Sequence, residues 1–372
     1  MKHHIAVLGT GMVGRAIVYD LAGDHKVTAA DNDRRALELC RNTEGVSTHH
    51  ADLRDQQAIS RIIKEADLVI CAVPGFMGYK TVETVITNGK PVVDISFMPE
   101  DFMELQSLAV KHKVTAIADC GVAPGMPNLI LGHHSREMDI KRFDYMVGGL
   151  PRERKFPFEY KAPFSPIDVL EEYTRPARVM ENGHLITRGA MSEPEMVFFE
   201  GLGHLEAFNT DGLRSLLQTM DHIPFMKEKT LRYPGHIRLI QALKASGFFA
   251  PEEVDTGSQK VRPMDVTNQI LMKDWHLKPG EPEFTIMRIN LEGVTKKITY
   301  DLFDQYDNET GLSSMARTTG FTATAAANMI LQGIFQEKGM FPPEYIGPQE
   351  GCFHYIMDYL EKRRISYRPT HT

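Results

Sequence analysis

HIAVLGTGMVG, residues 4–14, passes from an apolar run into the spacing G-x-G-x-x-G, and RAIVYDLAG (15–23) continues it with apolar residues at helical intervals. This is the order strand, glycine turn, helix. The glycines serve separate ends, with a tight turn at Gly9, close approach of the backbone to a pyrophosphate at Gly11, and close helix–strand packing at Gly14. Thr10, Met12 and Val13 complete the loop, whose amide hydrogens and helix dipole favour phosphate. A second strand, KVTAAD (26–31), ends at Asp31, followed by Asn32. A carboxylate there accepts hydrogen bonds from ribose hydroxyls and repels a 2′-phosphate, so NAD is expected as cofactor ahead of NADP. Arg34 and Arg35 lie close by and are the opposing consideration, since they can neutralise a 2′-phosphate.

Outward from this stretch, strand and helix alternate. DRRALELCRN reads as a helix, VSTHHADLRD as a short strand, QQAISRIIKEA as a helix and DLVICAVP as a buried strand closed by proline. KTVETVITNG, PVVDIS, EDFMELQSLAVKHK and VTAIADCG continue the pattern to residue 121. About six apolar strands separated by amphipathic helices imply an α/β fold, a Rossmann-type doubly wound parallel sheet. Ligands of such sheets bind beyond the carboxyl ends of the strands. Ala72, Val73 and Pro74 should therefore line the nicotinamide-ribose side. Asp52 can reach the adenine end, or merely cap a turn.

After Pro124 the texture changes to longer segments with more aromatics and prolines. Asn182-Gly183 between two apolar runs reads as a hairpin, and EFTIMRINLEGVTKKITYDLFD as paired antiparallel strands. The boundaries expected are 1–124 for the nucleotide-binding domain, 125–311 for an α+β domain and 312–372 for C-terminal helices. Composition agrees with a two-domain globular chain: 372 residues, 42% hydrophobic and 24% charged. A net charge of −7 from interspersed signs disfavours nucleic acid and anionic membranes as partners. No apolar run approaches the ~20 residues that span a bilayer, and MKHHIAVLG shows no signal-peptide pattern, so the cytoplasm is the expected compartment. Cys40, Cys71, Cys120 and Cys352 form no CxxC pair and read as reduced thiols. The pairs His3-His4, His49-His50 and His133-His134 do not converge as ligands must on a strand, so no metal site is expected.

GTGMVG, AVP, DCGVAPG, GGLP, FEYKAPFSPIDVLEEYTRPARV, LRYPGH and ARTTGFTATAAANMIL together resemble the saccharopine dehydrogenase (reductase) superfamily, and within it the lysine 6-dehydrogenase branch. The resemblance extends from His4 to about Leu360. It implies a nucleotide-binding domain interrupted by an α+β substrate and dimerisation domain, with the C-terminal helices returning to the first domain. It also implies oxidation of a C–N bond, or imine reduction, with a nicotinamide cofactor. Saccharopine reductases carry Asp before the Pro-Gly that here follows Ala123. This departure points from saccharopine toward a smaller amine such as lysine, whose side-chain amine would be oxidatively deaminated to the semialdehyde.

That chemistry needs a base for an ammonium proton, a partner for the α-carboxylate and a wall near the nicotinamide. Asp119, next to Cys120 at the end of the last strand, is a candidate base; capping the turn at Gly121 is its plainer role. Tyr160 and Lys161 can bring in an ammonium or carry the proton. His204, a candidate acid–base group whose plainer role is structural, clusters with Glu206, Asn209, Thr210 and Asp211 in a glycine-punctuated stretch that reads as a pocket loop. Arg232, Tyr233 and His236 follow, with Arg232 or Arg317 favoured for the carboxylate because guanidinium binds it through two parallel hydrogen bonds. Saccharopine reductase, carboxynorspermidine dehydrogenase and a non-catalytic nucleotide sensor are the alternatives. The partners expected are a small amino-acid substrate and a second copy of the chain.

Overall fold

In a computed structural model, which describes residues 2–163 and 166–371, the first strand β1 (His4–Leu8) leads through the glycine turn into α1 (Met12–Ala22). β2 (Lys26–Asp31), α2 (Arg34–Arg41), β3 (Val46–His50), α3 (Gln56–Ile62), β4 (Leu68–Cys71), α4 (Gly75–Thr87), β5 (Val92–Asp94), α5 (Gln106–His112), β6 (Thr115–Ile117) and α6 (Met126–His134) follow. Phe164 and Ser165, within FEYKAPFSPIDVLEEYTRPARV, lie outside the described residues.

The middle of the chain contributes β7 (Ile140–Pro151), α7 (Pro166–Thr174), β8 (Ala177–Glu181), β9 (His184–Arg188), β10 (Glu195–Phe199), β11 (Gly203–Asn209), α8 (Leu216–Thr219), β12 (Phe225–Arg232) and α9 (His236–Ala245). A small hairpin of β13 (Val254–Asp255) and β14 (Lys260–Val261), the helix α10 (Pro263–Trp275) and the long strands β15 (Glu283–Gly293) and β16 (Lys297–Gln305) complete it. The chain closes with α11 (Ser314–Leu331), β17 (Gly339–Phe341), α12 (Pro343–Ile346), α13 (Cys352–Glu361) and β18 (Tyr367–His371).

Two compact units result. The first comprises Met1–Ile140, Leu291–Lys297 and Met315–Thr372; the second, Lys141–Asn290 and Ile298–Ser314. The sheet of the first unit has the order β3-β2-β1-β4-β5-β6-β17, and every pairing in it is parallel. This is the doubly wound order, with the reversal between β1 and β4 where the glycine turn lies. Ile5, Ala6, Val7 and Leu8 are buried on both faces of the sheet, as a parallel sheet covered by helices requires.

The C-terminal helices return to this unit, held by a polar network on α1. Asp20 accepts hydrogen bonds from the hydroxyls of Thr324 and Tyr359 and from Nε of Arg363, while His25 bonds to Asn328. Residues 125–140 also cluster with this first unit, not with the residues that follow the texture change at Pro124. The reason is packing of α6 on α12: a Cβ at Gly132 would lie 2.1 Å from the carbonyl oxygen of Glu344, and Asn128 donates to the Glu344 carboxylate at 3.0 Å.

The second unit is an α+β layer whose sheet runs β10-β11-β12-β7-β15-β16, with β8 and β9 attached beside β12. β8 and β9 form the expected hairpin, with Asn182 and Gly183 both at positive φ, 51° and 75°. Its core gathers Tyr160, Tyr173, Phe208, Trp275 and Phe284 with aliphatic side chains from the sheet.

Candidate functional site

The three glycines of the first turn differ in what the protein itself asks of them. A Cβ at Gly9, which has φ +95°, would lie 2.3 Å from the carbonyl oxygen of Ala72, and one at Gly14 would lie 2.0 Å from that of Gly9. Both positions must be glycine for the turn to close and for α1 to pack on β1 and β4. Gly11 is exposed, and a Cβ there would meet nothing within 4 Å. No side chain caps α1 at Gly11, and Met12 and Val13 are half-exposed. A bare helix N-terminus beside a glycine that packing does not require fits a dinucleotide pyrophosphate.

Asp31 ties this loop to the second strand. One carboxylate oxygen accepts from the amide and hydroxyl of Thr10, at 2.6 and 3.1 Å, and the other accepts from the amide of Asp33 at 2.9 Å. A carboxylate has roughly four acceptor positions. Capacity remains for a ribose hydroxyl. Asn32 is exposed beside it, and α2 begins at Arg34 with Asp33 as its cap. Asp52 is engaged elsewhere: Arg54 grips it through Nε and Nη2 and through its own amide, and the hydrogen bonds from Arg54 hold its carboxyl at about 2.

Ala72, Val73 and Pro74 lie just beyond β4, where Ala72 donates its amide to Leu8 and Pro74 precedes α4. Neighbouring strand ends bring two acids to the same edge of the sheet. Asp119 is buried just after β6 in the left-handed region, φ +53°, which Asp tolerates better than most residues. Asp94, which the sequence reading passed over, is completely buried at the end of β5. Cys120 is buried too; it lines a small apolar cavity with Met126, Leu129, Thr322 and Ala326, and burial pushes its thiol up to about 12. Arg317, in the same unit, donates to the carbonyl of Arg363 and lies over the Phe321 ring.

Within the second unit, the residues proposed for substrate do not form one group. Arg232 is buried and donates to the hydroxyls of Tyr173 and Tyr160, the carboxylate of Glu172 and the carbonyl of Leu231. Four of its five N–H donors are thus directed at the protein itself. His236 bonds through one ring nitrogen to Tyr173 and through the other to the carbonyl of Phe158, and burial, with the Arg232 charge, pulls it down to about 3. Tyr160 stands edge-on to Trp275, and Tyr233 donates to the carbonyl of Pro151 beneath the Arg154 guanidinium. Lys161 donates to the carbonyl of Asp274.

On β11, His204 is exposed against the Phe198 ring and Glu206 accepts from the amide of Gly235. Asn209 and Thr210 are buried, the first against Ser192 and the second against Thr230. Asp211 grips Arg178 through both carboxylate oxygens. The glycine-punctuated stretch is therefore an inner strand of the sheet and its exit. Among the described residues, no helix is long and apolar enough to cross a membrane, and no group of three His, Cys, Asp or Glu side chains can hold a metal ion.

Two family models match the chain: the saccharopine dehydrogenase NADP binding domain over residues 5–117 and the saccharopine dehydrogenase C-terminal domain over residues 121–365. The mitochondrial alpha-aminoadipic semialdehyde synthase of Bos taurus is 22% identical, over 93% of this chain and 46% of that protein. Saccharopine dehydrogenase (NADP(+), L-glutamate-forming) of Saccharomyces cerevisiae is 24% identical, over 73% of this chain and 64% of its own length. The chain thus spans less than two thirds of either relative. Carboxyaminopropylagmatine dehydrogenase of Synechocystis is 22% identical, over 92% of this chain and 93% of that one.

In three dimensions the chain is similar to the apo saccharopine dehydrogenase (L-Glu forming) from Saccharomyces cerevisiae, with TM-score 0.81, 20% identity and full coverage of both chains. It is also similar to a homospermidine synthase from Legionella pneumophila in complex with NAD, with TM-score 0.72, 13% identity and coverage of 100% and 92%. At these identities the likeness establishes the fold.

Proposed function

The chain belongs to the saccharopine dehydrogenase family, and from that premise we propose that it is an NAD-dependent oxidoreductase acting on the C–N bond of an amino acid, oxidising the side-chain amine of lysine. The observation that supports this reading is the turn at Gly9–Gly14, with Gly11 open and Asp31 holding Thr10 at the strand reversal. A bound nicotinamide would supply the hydride acceptor. The chain's own residues bind, orient and move a proton: the first amides of α1 hold phosphate, Asp31 takes a ribose hydroxyl, and Asp119 accepts the ammonium proton.

NAD is favoured over NADP because Asp31 places a negative charge where a 2′-phosphate would lie. The competing reading, NADP with Arg34 and Arg35 facing the phosphate, draws on the NADP named in the family model and in the yeast relative. Imine reduction to join an amine and an aldehyde is the second reading for the reaction. It draws on the relatives named for saccharopine and carboxyaminopropylagmatine. Homodimerisation through the second unit is retained as part of the proposal.

A panel assay tests this reading. Purified protein is mixed with NAD or NADP and with lysine, saccharopine, ornithine or polyamines, and reduced nicotinamide is followed by absorbance. Turnover of lysine with NAD is the expected result. Activity confined to saccharopine, or to NADP, would replace the proposed substrate or cofactor.

A further inference from the structure

β2 and β3 run parallel, with Asp31 and His50 as register partners at the last position of each strand. Partners in a parallel ladder put their side chains on the same face, so both leave the sheet at one corner, beside the glycine turn. Two links fasten that corner. The amide of Ala51 donates to the carbonyl of Asp31 at 2.9 Å, and Nε2 of His50 lies 3.1 Å from the carbonyl of Asn32. A carbonyl only accepts, so Nε2 carries the hydrogen. Nδ1 is then an acceptor in the neutral ring and a second N–H donor in the charged one. The ring is exposed, and Nδ1 has no partner among the described residues.

The charged groups around this ring are Asp31 and Asp33 at the exit of β2, Arg34 and Arg35 at the start of α2, and Asp52 with Arg54 after β3. Asp33 caps α2 through the amide of Arg35, and Arg54 closes on Asp52, whose carboxyl it holds at about 2. His49 precedes His50 on the strand and so faces the other side of the sheet. Between about pH 6 and 8 carboxylates and guanidinium groups are in general charged throughout, and the imidazole is the side chain that changes. We propose, on the cofactor reading above, that His50 is a specificity-determining residue of the dinucleotide site. With a neutral ring, Asp31 alone governs the ribose and NAD is preferred. With a charged ring, a cation stands beside Asp31 and offsets its repulsion of a 2′-phosphate, so NADP gains. Arg34 and Arg35 carry a fixed charge and cannot make the choice of cofactor depend on pH.

Titration calorimetry tests this, with NAD and NADP each bound to wild type, His50→Gln and His50→Lys at about pH 6 and about pH 8, and no amine present. A phosphate monoester takes up its own second proton near about pH 6, so the informative quantity is the difference between the proteins. From the higher pH to the lower, the ratio of the NADP to the NAD dissociation constant should fall by about fivefold more in the wild type than in His50→Gln, the scale of one exposed ion pair. Loss of the link to Asn32 in His50→Gln affects both cofactors and leaves that slope alone. His50→Lys, charged at both values, should have the lower ratio already at about pH 8.

The same fall in wild type and His50→Gln, or a His50→Lys ratio at the higher pH equal to that of the wild type, would overturn the role of His50 and leave the dinucleotide site standing. Failure of both dinucleotides to bind the wild type would remove the cofactor reading and this inference with it. If no amine in the panel were oxidised while the ratios moved as described, the proposed reaction would fall and the role of His50 would stand.

Discussion

The glycine turn of the first unit and the arginine cluster of the second are both built from residues associated with ligand binding, yet they leave different things unused. At the turn, Gly11 has open space around its missing side chain and α1 has no side-chain cap. At the cluster, Arg232 is surrounded by Tyr160, Tyr173, Glu172 and its own neighbour's carbonyl, and His236 has both ring nitrogens engaged. Residue type alone nominates both places. What separates them is whether the protein's own atoms already satisfy the chemistry: the turn leaves backbone donors open, and the cluster engages those of Arg232 and His236.

The largest effect that can break this contrast lies at Arg232. Replacing it with Met should destabilise the fold by about 3–5 kcal/mol, since Glu172 and two buried phenols lose their cationic partner. Urea unfolding measures it. A cost below about 1 kcal/mol, with substrate KM raised instead, would show that the guanidinium serves a ligand after all.

Glu228 offers a smaller effect in the same unit. It is buried on β12, its Oε2 accepting the amide of Gly212, and burial raises its carboxyl to about 8. Its ordinary value in an unfolded chain is 4.5, so between roughly pH 4.5 and 8 the folded state binds more protons than the unfolded one. Stability therefore falls as pH rises through that window. Glu228→Gln, which is neutral throughout, should flatten the fall in urea midpoint. An unaltered slope would mean that Glu228 is not the group responsible.

Asp31→Ala should have the smallest of these effects and divides into two parts. Loss of the Thr10 tether loosens the turn and weakens NAD and NADP alike. Loss of the ribose acceptor adds a further penalty for NAD, of about 1 kcal/mol, so the ratio of the two dissociation constants should move toward NADP. Equal losses, read by fluorescence titration, would remove the electrostatic argument for NAD.

The readability of these regions from sequence follows the same division. Strand, turn, helix and Asp31 occupy a continuous run, so spacing alone brings the glycine turn and the acid to the same end of the sheet. The doubly wound core was legible because most of its strands are short apolar runs bounded by Gly, Pro or Asp, with β3 (VSTHH) the polar exception. β17 escaped notice: Gly339–Phe341 is three residues long, and its partner β6 is more than two hundred residues earlier. Asp94 had a signal of the same kind as Asp31, an acid closing an apolar strand in PVVDIS. Its burial, however, depends on Cys71 and the chain at Asp119, which arrive from two other segments.

Arg232 was harder still. Its partners Tyr160, Tyr173 and Glu172 lie 59 to 72 residues away, and nothing in LRYPGH shows that they converge. His204, Asn209 and Thr210 looked like a loop because glycines flank them. In the structure Gly203–Asn209 is a strand, paired on both sides, because alternating Leu205, Ala207 and buried Asn209 face the core.

The most direct measurement of the central claim is calorimetric titration of NAD into wild-type protein and into Gly11→Ala. A methyl at Gly11 disturbs nothing within the protein, so the variant should unfold at the wild-type urea concentration while its affinity for NAD falls at least about tenfold, roughly 1.4 kcal/mol. Wild-type affinity in a stably folded Gly11→Ala protein would contradict it, because the pyrophosphate could not then lie against that turn.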